Sequence, residues 1–506
     1  MKHRKAGNPV YRALMLSLLL IPVILSTAGC GEDQVQLTLE DISEPIDLAK
    51  LQQYLPGTWE GSFKMAGGEY TVRFSLHENE DGTFIGAFSV PQQTQALFIF
   101  DEIEIDEHGE ITFRASSIQA GYTATLRAVQ DSQQITLSGT WQQNGTQAYL
   151  TMEPRQIEHL TRIMRPQDPV PPLPYREEEV QFYSPKDDIL LAGTFTYPED
   201  NGPFPTVILL SGSGSSNRNE EIFGHRPFLV LADYLTRNGI AVLRYDDRGV
   251  GESEGDALTA TSRDLSIDGE AALDYLLSRP DIASDIIGII GHSEGGLIGP
   301  MIADRREEIK FLVLLAGPGI RGDQVLLSQT EAILEAHRLP SSLIETTLST
   351  NKAIYDLLLE EDDDQAIIDE VYRVMRSVGV PEDQIEKQIS SIMLPWFRFF
   401  VRYDPGNVLS RTVIPVLALN GSLDLQIIAE ENIPSIREHL ESADNQYVTT
   451  KIYQGLNHLF QPAETGMVDE YGTTQITIAP QVLDDVTQWI LAVTEGYERL
   501  SDTSRR

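Results

Sequence analysis

The strongest candidate for a catalytic residue in this sequence is a serine that has a glycine two residues before it and another two residues after it. Ser293 lies in the segment GHSEG (291–295), directly after the apolar run 286–290 and before an amphipathic stretch typical of a helix. A serine at a sharp strand-to-helix turn takes strained backbone geometry, and glycines at these two positions avoid collision with the neighbouring strand and helix. Such a turn would present the hydroxyl above a sheet edge, as a nucleophile requires.

A serine hydroxyl is nearly inert at neutral pH, so this hypothesis requires a base further along the chain. His458 follows the strand-like run 447–453 and the turn 455–457, a loop position from which an imidazole can reach Ser293. His439 falls inside an amphipathic helical stretch and is best explained as a surface histidine. We therefore assign His458 as the general base, and then the general acid, of acyl transfer.

The base needs a carboxylate that fixes its tautomer and stabilises the imidazolium. Asp424 follows the buried strand predicted at 413–419, which leaves it at the carboxyl edge of the sheet beside the serine. Asp404 is the competing carboxylate, but it precedes this strand instead of following it. The order serine, acid, histidine along the chain agrees with a nucleophile turn of this kind.

Acyl transfer also needs hydrogen-bond donors for the developing oxyanion. One donor is expected to be the backbone N–H of Glu294, at the start of the helix that follows the nucleophile, where the helix dipole and the free amides point the same way. The second is expected from the loop SGSG (211–214), which follows the predicted strand 206–210. A glycine-rich turn without a ligand is the alternative, and a phosphate-binding loop is excluded because no Gly-Lys-Ser/Thr follows.

Apolar runs rich in β-branched residues alternate with amphipathic stretches from about residue 175 onwards. They predict buried strands at 206–210, 240–243, 286–290, 311–315, 413–419 and 447–453, and helices at 227–238, 264–278, 295–304, 430–440 and 482–492. This alternation is typical of a parallel sheet covered by helices on both faces, and an antiparallel pair at 179–195 is expected to precede it. The pattern from 323 to about 404 is helical only, which predicts a cap over the carboxyl edge, where substrates bind in open α/β folds.

These motifs, in this order, resemble the α/β-hydrolase superfamily over residues 176–500, with a helical cap at 322–405. The segments SGSG, GHSEGG and GLNH (455–458) are most similar to serine-aminopeptidase-like and dienelactone-hydrolase-like esterases. The resemblance implies an acyl-serine intermediate, no cofactor and a small-molecule ester as substrate. No metal is expected, because the sequence has no H-E-x-x-H motif or cysteine pair. It aligns Ser213 with the second oxyanion donor, although Ser211 replaces the histidine usual in that loop. It also implies that the turn DDRGVGES (246–253) shapes the sheet edge without taking part in catalysis.

Residues 51–165 have a different pattern of polar and apolar residues from the rest of the chain. Short stretches of alternating polarity, such as 70–76 and 103–113, are separated by turn signals, which predicts a small antiparallel β-barrel or sandwich domain. Its G-x-W opening at 57–59 is similar to the start of lipocalin-like barrels. Two roles are open for this domain: a pocket for an acyl chain, or a spacer with a tryptophan in its core. The proline-rich stretch at 166–175 predicts a stiff linker to the second domain.

The N-terminus has the layout of a bacterial secretory signal. Four basic residues between positions 2 and 12 precede an apolar run at 13–24, which is too short to span a bilayer comfortably. Cys30, the only cysteine, follows Thr-Ala-Gly and resembles the lipid-modified cysteine of a lipoprotein. We expect a signal peptide at 1–29, an acidic tether at 30–50 and a lipid anchor in a membrane of the cell envelope. Secretion without a lipid is the alternative.

The net charge of −38 describes a surface that repels phosphate backbones, so nucleic acid is not expected as a partner. Two other functions remain open besides ester hydrolysis. An aminopeptidase would need an anionic subsite for the substrate ammonium, for which Glu331 and Glu335 in the cap are the candidates. A non-catalytic envelope lipoprotein would bind a lipid or glycan through the β domain. The sequence does not fix the oligomeric state.

Overall fold

The computed structural model describes residues 55–504, apart from the segments 66–67, 79–83, 91–96, 101, 107–108, 116–119, 129–134, 144–145, 155–164, 201, 281 and 473. The predicted signal peptide, Cys30 and the predicted tether lie outside the described residues. Along the described residues, none of the helices combines the length and the apolar character that a membrane crossing requires.

Nine antiparallel strands form the first sheet. They are β1 (Gly57–Met65), β2 (Gly68–Glu78), β3 (Phe84–Ser89), β4 (Leu97–Ile99), β5 (Glu102–Ile105), β6 (Glu110–Ala115), β7 (Ala120–Ala128), β8 (Ile135–Gln143) and β9 (Thr146–Pro154). Their order is β4-β3-β2-β1-β9-β8-β7-β6-β5, so the first and the last strand in sequence are neighbours at the centre. The antiparallel architecture predicted for this part of the chain is confirmed.

Aromatic side chains pack against one another in the core of the domain that the first sheet forms. The ring of Phe74 lies 4.8 Å from that of Phe100 and 5.5 Å from that of Tyr122, and the ring of Phe88 lies 5.0 Å from that of Trp141. All but Phe100 are completely or almost completely buried, because alternate residues of each strand point to the same face. These rings occupy the space that an acyl chain would need, which favours the interpretation of this domain as a spacer.

Eight strands form the second sheet, and most of them are parallel. They are β10 (Tyr175–Ser184), β11 (Ile189–Pro198), β12 (Phe204–Leu210), β13 (Ala241–Tyr245), β14 (Ile282–His292), β15 (Ile309–Leu315), β16 (Val416–Gly421) and β17 (Val448–Tyr453). The order is β10-β11-β13-β12-β14-β15-β16-β17. Strand β11 runs antiparallel to both of its neighbours, β10 and β13, and the other adjacent strands pair in parallel. The turn between β10 and β11 has Asp187 and Asp188 at φ values of 65° and 56°, as a tight hairpin requires.

Helices cover both faces of the second sheet. They are α1 (Pro227–Arg237), α2 (Ser262–Leu277), α3 (Gly295–Ala303), α4 (Gly322–Ala336), α5 (Ser341–Glu360), α6 (Asp364–Ser377), α7 (Glu382–Ile392), α8 (Pro395–Arg402), α9 (Gly406–Leu409), α10 (Ala429–Ser442) and α11 (Pro480–Ser504). Strand β12 shows how the two faces are built. Val207 and Leu209 pack into a cluster with α1 and α11, whereas Ile208 and Leu210 pack into a second cluster with α2 and α3.

Helices α4 to α8 form an insertion between β15 and β16, where the sequence predicts only helix. The insertion has its own apolar contacts, since Tyr355 of α5 and Phe397 of α8 are buried with ring centroids 6.1 Å apart. It also reaches the carboxyl edge of the sheet, because Trp396 of α8 donates a hydrogen bond to Glu294. The helical insertion thus lies beside this edge.

Candidate active site

Ser293 occupies the turn between β14 and α3 in a strained backbone conformation. Its φ is +51°, a value that costs energy in a residue with a side chain, and its N–H donates to the carbonyl of Leu315 at 2.8 Å. The flanking glycines are required by space. A Cβ on Gly291 would lie 2.0 Å from the carbonyl oxygen of Gly295, and a Cβ on Gly295 would lie 2.1 Å from that of Leu210. The steric reason predicted for the G-x-S-x-G pattern is therefore present.

His458 and Asp424 form a buried hydrogen-bonded pair. The distance from His458 Nδ1 to Asp424 Oδ2 is 2.8 Å, and the two residues are 4% and 3% exposed. The other carboxylate oxygen, Oδ1, accepts hydrogen bonds from the backbone N–H groups of Gln426 at 2.8 Å and Ile427 at 2.9 Å. These two backbone donors fix the orientation of the carboxylate. With Nδ1 donating to Asp424, the Nε2 atom of His458 is the nitrogen free to accept a proton.

The serine turn and the histidine loop are in direct contact. His292, which immediately precedes the serine, has its ring centroid 4.9 Å from that of His458. Its Nε2 lies 3.1 Å from the carbonyl oxygen of His458. The structure thus brings the predicted nucleophile, base and carboxylate to the same edge of the sheet. Asp404, the competing carboxylate, instead accepts from the N–H of Gly406 at 2.9 Å.

The loop after β12 lies beside the nucleophile. A Cβ on Gly212 would lie 3.2 Å from the Cβ of Ser293, so a side chain at residue 212 would crowd the nucleophile. Ser213 and Glu294, the two predicted oxyanion donors, line the same cleft. The backbone N–H of Glu294 stands at the N-terminus of α3, where donors without a helical partner gather. The remaining residues that line the cleft are Gly214, Ser215, Asp247, Ala257, Leu258, Ala260, Leu265, Leu394 and Trp396.

The side chain of Glu294 is a feature of the cleft that sequence reasoning missed. Its Oε1 accepts hydrogen bonds from Ser262 Oγ at 2.5 Å and from Trp396 Nε1 at 2.7 Å. Its Oε2 is buried and has no hydrogen-bond partner. Burial raises the pKa of this carboxyl above its ordinary value, although both hydrogen bonds oppose the rise. Glu294 therefore links the nucleophile turn to the helical insertion.

Asp247 is a second carboxyl at the cleft that was not expected there. Burial raises its pKa to about 8, in spite of the hydrogen bonds that it accepts. Ser211 Oγ lies 2.9 and 3.0 Å from its two oxygens, and the N–H of Ser216 donates to Oδ2 at 2.8 Å. Asp247 thereby fixes the position of the loop that follows β12. Its position after the buried strand β13 was a signal that could have identified it.

Three other residues with ionisable side chains lie outside the lining of the cleft. The side chains of Glu331 and Glu335 are exposed to solvent and do not line the cleft. His225 is buried, with Nδ1 2.8 Å from Thr477 Oγ1 and Nε2 2.8 Å from the carbonyl of Tyr471. Burial lowers its pKa to about 4.

The turn after β13 is held by ion pairs. Arg218 makes hydrogen bonds to both carboxylate oxygens of Asp246, at 3.2 and 2.8 Å. Arg248 makes two hydrogen bonds to Asp268, at 2.7 and 2.8 Å, and both residues are 1% exposed. Among the residues that the structure describes, no group of three or more histidine, cysteine, aspartate or glutamate side chains is arranged to hold a metal ion.

Comparison with known proteins relates this chain to hydrolases. The model of the family described as serine aminopeptidase, S33, matches residues 226–395, a stretch that includes Ser293 but ends before Asp424 and His458. The chain is 25% identical to the esterase EstD of Thermotoga maritima over 301 residues. This match covers 60% of this chain and 65% of that protein. It is 32% identical over 128 residues to the putative hydrolase YtaP of Bacillus subtilis, covering 22% and 43%. The chain thus spans less than two thirds of the length of these relatives.

Solved structures similar to this chain include an esterase. The Pyrococcus furiosus esterase Pf2001 has a TM-score of 0.39 and 19% identity, over 63% of this chain and 92% of that one. Est1E from Butyrivibrio proteoclasticus has a TM-score of 0.37 and 16% identity, over 63% of this chain and 99% of that one.

Proposed function

We propose that this protein is a serine hydrolase that cleaves carboxylic esters. The observation that carries the proposal is the buried 2.8 Å hydrogen bond between His458 and Asp424, beside the strained turn of Ser293. A nucleophile, a base and a group that orients the base are the minimum for acyl transfer. The similarity to the esterase EstD supports the same class of reaction.

In the proposed reaction, Ser293 Oγ attacks the ester carbonyl while His458 Nε2 takes its proton. The resulting imidazolium is stabilised by Asp424, whose carboxylate is already oriented by two backbone N–H groups. The backbone N–H of Glu294 and a donor from Ser213 stabilise the oxyanion. His458 then protonates the departing alcohol oxygen, and the same steps with water release the carboxylic acid and restore the serine.

The lining of the cleft supports a short to medium acyl group as the substrate portion. Leu258, Leu265 and Leu394 contribute apolar surface, and the indole of Trp396 forms one wall. Such a surface stabilises an alkyl chain by about 0.8 kcal/mol for each buried CH₂ group. We expect kcat/KM on p-nitrophenyl esters to rise with acyl length until the cleft is filled and then to fall.

Active-site labelling tests the proposal directly. A fluorophosphonate probe is expected to label the folded protein at Ser293 only, and Ser293→Ala is expected to lose both the label and the hydrolysis of p-nitrophenyl butyrate. The matched control is Ser390→Ala, because Ser390 is an exposed serine of α7 whose hydroxyl only contacts the carbonyl of Glu386. Full labelling of Ser293→Ala, or a wild-type protein that is folded and unlabelled, would contradict the proposal.

Hydrolysis of aminoacyl substrates is a second candidate, favoured by one observation. The cleft is lined by two buried carboxyls, Asp247 and Glu294, whose pKa values burial raises. A substrate ammonium would favour the ionised form of both and would pair with the unpartnered Oε2 of Glu294. Comparing p-nitrophenyl butyrate with aminoacyl-anilides distinguishes the two functions. An aminopeptidase would prefer the anilides and would lose that preference in Glu294→Gln.

We also propose that the protein is anchored to a membrane of the cell envelope through a lipid on Cys30. The basic residues and the apolar run that precede this cysteine support the proposal, as does its being the only cysteine of the chain. Incorporation of labelled palmitate by the wild type, and release of Cys30→Ser from the membrane fraction without label, are the expected results. An unlabelled wild-type protein that is secreted freely would contradict the anchor.

A further inference from the structure

Glu220 is a buried carboxylate that touches two of the loops around the nucleophile. It is 6% exposed and has a φ of +50°, an uncommon value for a residue with a side chain. Its Oε1 accepts from the N–H of Gly212 at 2.8 Å and lies 2.9 Å from Nδ1 of His292. Its Oε2 is buried without a hydrogen-bond partner. No step of the reaction described above uses this carboxylate.

The contacts of His292 determine how many protons His292 and Glu220 hold between them. Its Nε2 lies 3.1 Å from the carbonyl oxygen of His458, an atom that can only accept, so Nε2 must carry a hydrogen. Its Nδ1 faces Glu220 Oε1, which already accepts from Gly212. A neutral His292 with its hydrogen on Nε2 would therefore direct a lone pair at a carboxylate. The arrangement requires one more proton between Nδ1 and Oε1.

The surroundings of His292 favour the imidazole as the site of this additional proton. Burial alone would lower the pKa of His292, but the charge and the hydrogen bond of Glu220 outweigh burial and raise it. The carbonyl of His458 and the more distant Asp424 act in the same direction.

We propose that Glu220 and His292 form a buried ion pair that positions the oxyanion loop and the loop of the general base relative to Ser293. Glu220 holds Gly212 of the first loop, and His292 holds the backbone of His458 in the second. Glu220 is thus a positioning residue, since its side chain touches neither a substrate nor the reacting atoms. This role in the reaction rests on the proposed function, whereas the ion pair itself does not.

The protonation of His292 provides a test that does not depend on activity. In the full chain labelled with ¹⁵N-histidine, both ring nitrogens of His292 are expected to carry hydrogen at pH 7, and the resonances are assigned by their loss in His292→Asn. In Glu220→Gln, one of the two nitrogens is expected to lose its hydrogen at the same pH. A wild-type His292 with a single protonated ring nitrogen at pH 7 would overturn the ion pair. The decisive measurement is therefore made on the wild-type protein and does not depend on whether Glu220→Gln folds.

Kinetics test the positioning role. Gln keeps an oxygen for Gly212 but removes the charge, so Glu220→Gln is expected to lower kcat on p-nitrophenyl butyrate on the order of 100-fold, the usual effect of a displacement near 1 Å. KM should stay within about twofold, because Glu220 does not line the cleft that binds substrate.

The matched control is Glu221→Gln, which changes the adjacent, exposed carboxylate that accepts only from Asn217 at 3.1 Å, and it should keep the wild-type kcat. A Glu220→Gln enzyme with unchanged kcat, or one whose loss lies wholly in KM, would overturn the positioning role. If the wild type hydrolyses no ester while His292 is doubly protonated, the proposed function fails and the ion pair stands.

Discussion

Replacing Asp424 with asparagine is the sharpest test of the proposed base. Oδ1 of Asp424 accepts from two backbone N–H groups, so the oxygen of the asparagine must remain there and its NH₂ group must face His458. An amide N–H pointed at Nδ1 requires that nitrogen to lack a hydrogen. The hydrogen of the neutral imidazole then resides on Nε2, where it prevents His458 from accepting the proton of Ser293.

The structure sets the size of this effect. Turning the amide over would restore the productive tautomer but would leave two buried N–H groups without an acceptor, at about 1–3 kcal/mol each. A total near 4 kcal/mol corresponds to a productive population of roughly one in a thousand, at about 1.4 kcal/mol for each factor of ten. The variant also loses the carboxylate charge that stabilises the imidazolium. We therefore expect kcat on p-nitrophenyl butyrate to fall by about 10³ to 10⁴ with little change in KM.

The assay is steady-state hydrolysis together with the rate of fluorophosphonate labelling, which should fall by a similar factor. Asp404→Asn is the control, because Asp404 precedes β16 and contacts the N–H of Gly406 instead of a histidine. It should keep the wild-type rate. An Asp424→Asn enzyme with kcat within tenfold of the wild type would refute the assignment of Asp424 and His458.

Three further substitutions test other parts of the structure. Trp396→Phe removes the indole hydrogen bond to Glu294, so KM for p-nitrophenyl butyrate should rise several-fold while Ser293 is still labelled. The pKa of His225 falls from 6.5 to about 4 in the folded state, so its contribution to stability is present above pH 6.5 and is lost as the pH falls towards 4. Urea unfolding should show a loss of about 3 kcal/mol between pH 7 and 4 that His225→Gln reduces. Arg248→Met leaves Asp268 buried without its partner and should lower the free energy of unfolding by about 3–5 kcal/mol.

The residues of the proposed triad could be anticipated from sequence because parallel strands end at a common edge. Ser293 and Asp424 each follow a buried apolar strand, and His458 follows another strand and a short turn. Strand ends fix such positions whatever the distance along the chain. The steric need for two glycines around the serine is likewise a local property, which is why the motif identifies the turn. The catalytic roles of the three residues stay a prediction that labelling and kinetics decide.

The partners of the buried carboxyls could not be anticipated in the same way. Glu220 lies in an irregular loop, and nothing in its neighbourhood along the chain indicates that it meets His292, 72 residues away. Glu294 receives its hydrogen bond from Trp396, 102 residues away, on a helix whose aromatic residues at helical spacing are more typical of ordinary packing than of a binding site. These contacts depend on how the insertion and the loops dock, which hydrophobic periodicity does not encode.

Four buried carboxyls surround the serine turn, and their partners divide them into two kinds. Asp424 and Glu220 each contact a histidine ring at less than 3 Å, so each negative charge is matched by a group that can carry a positive one. Asp247 and Glu294 contact only hydroxyl and N–H groups, and burial raises the pKa of both, which favours their neutral forms. The paired carboxyls therefore orient the histidines, while the unpaired ones line the cleft without imposing a full negative charge on it. An uncharged acyl chain meets no electrostatic penalty there. An acyl chain that ends in a carboxylate would find no cation among the residues that line the cleft.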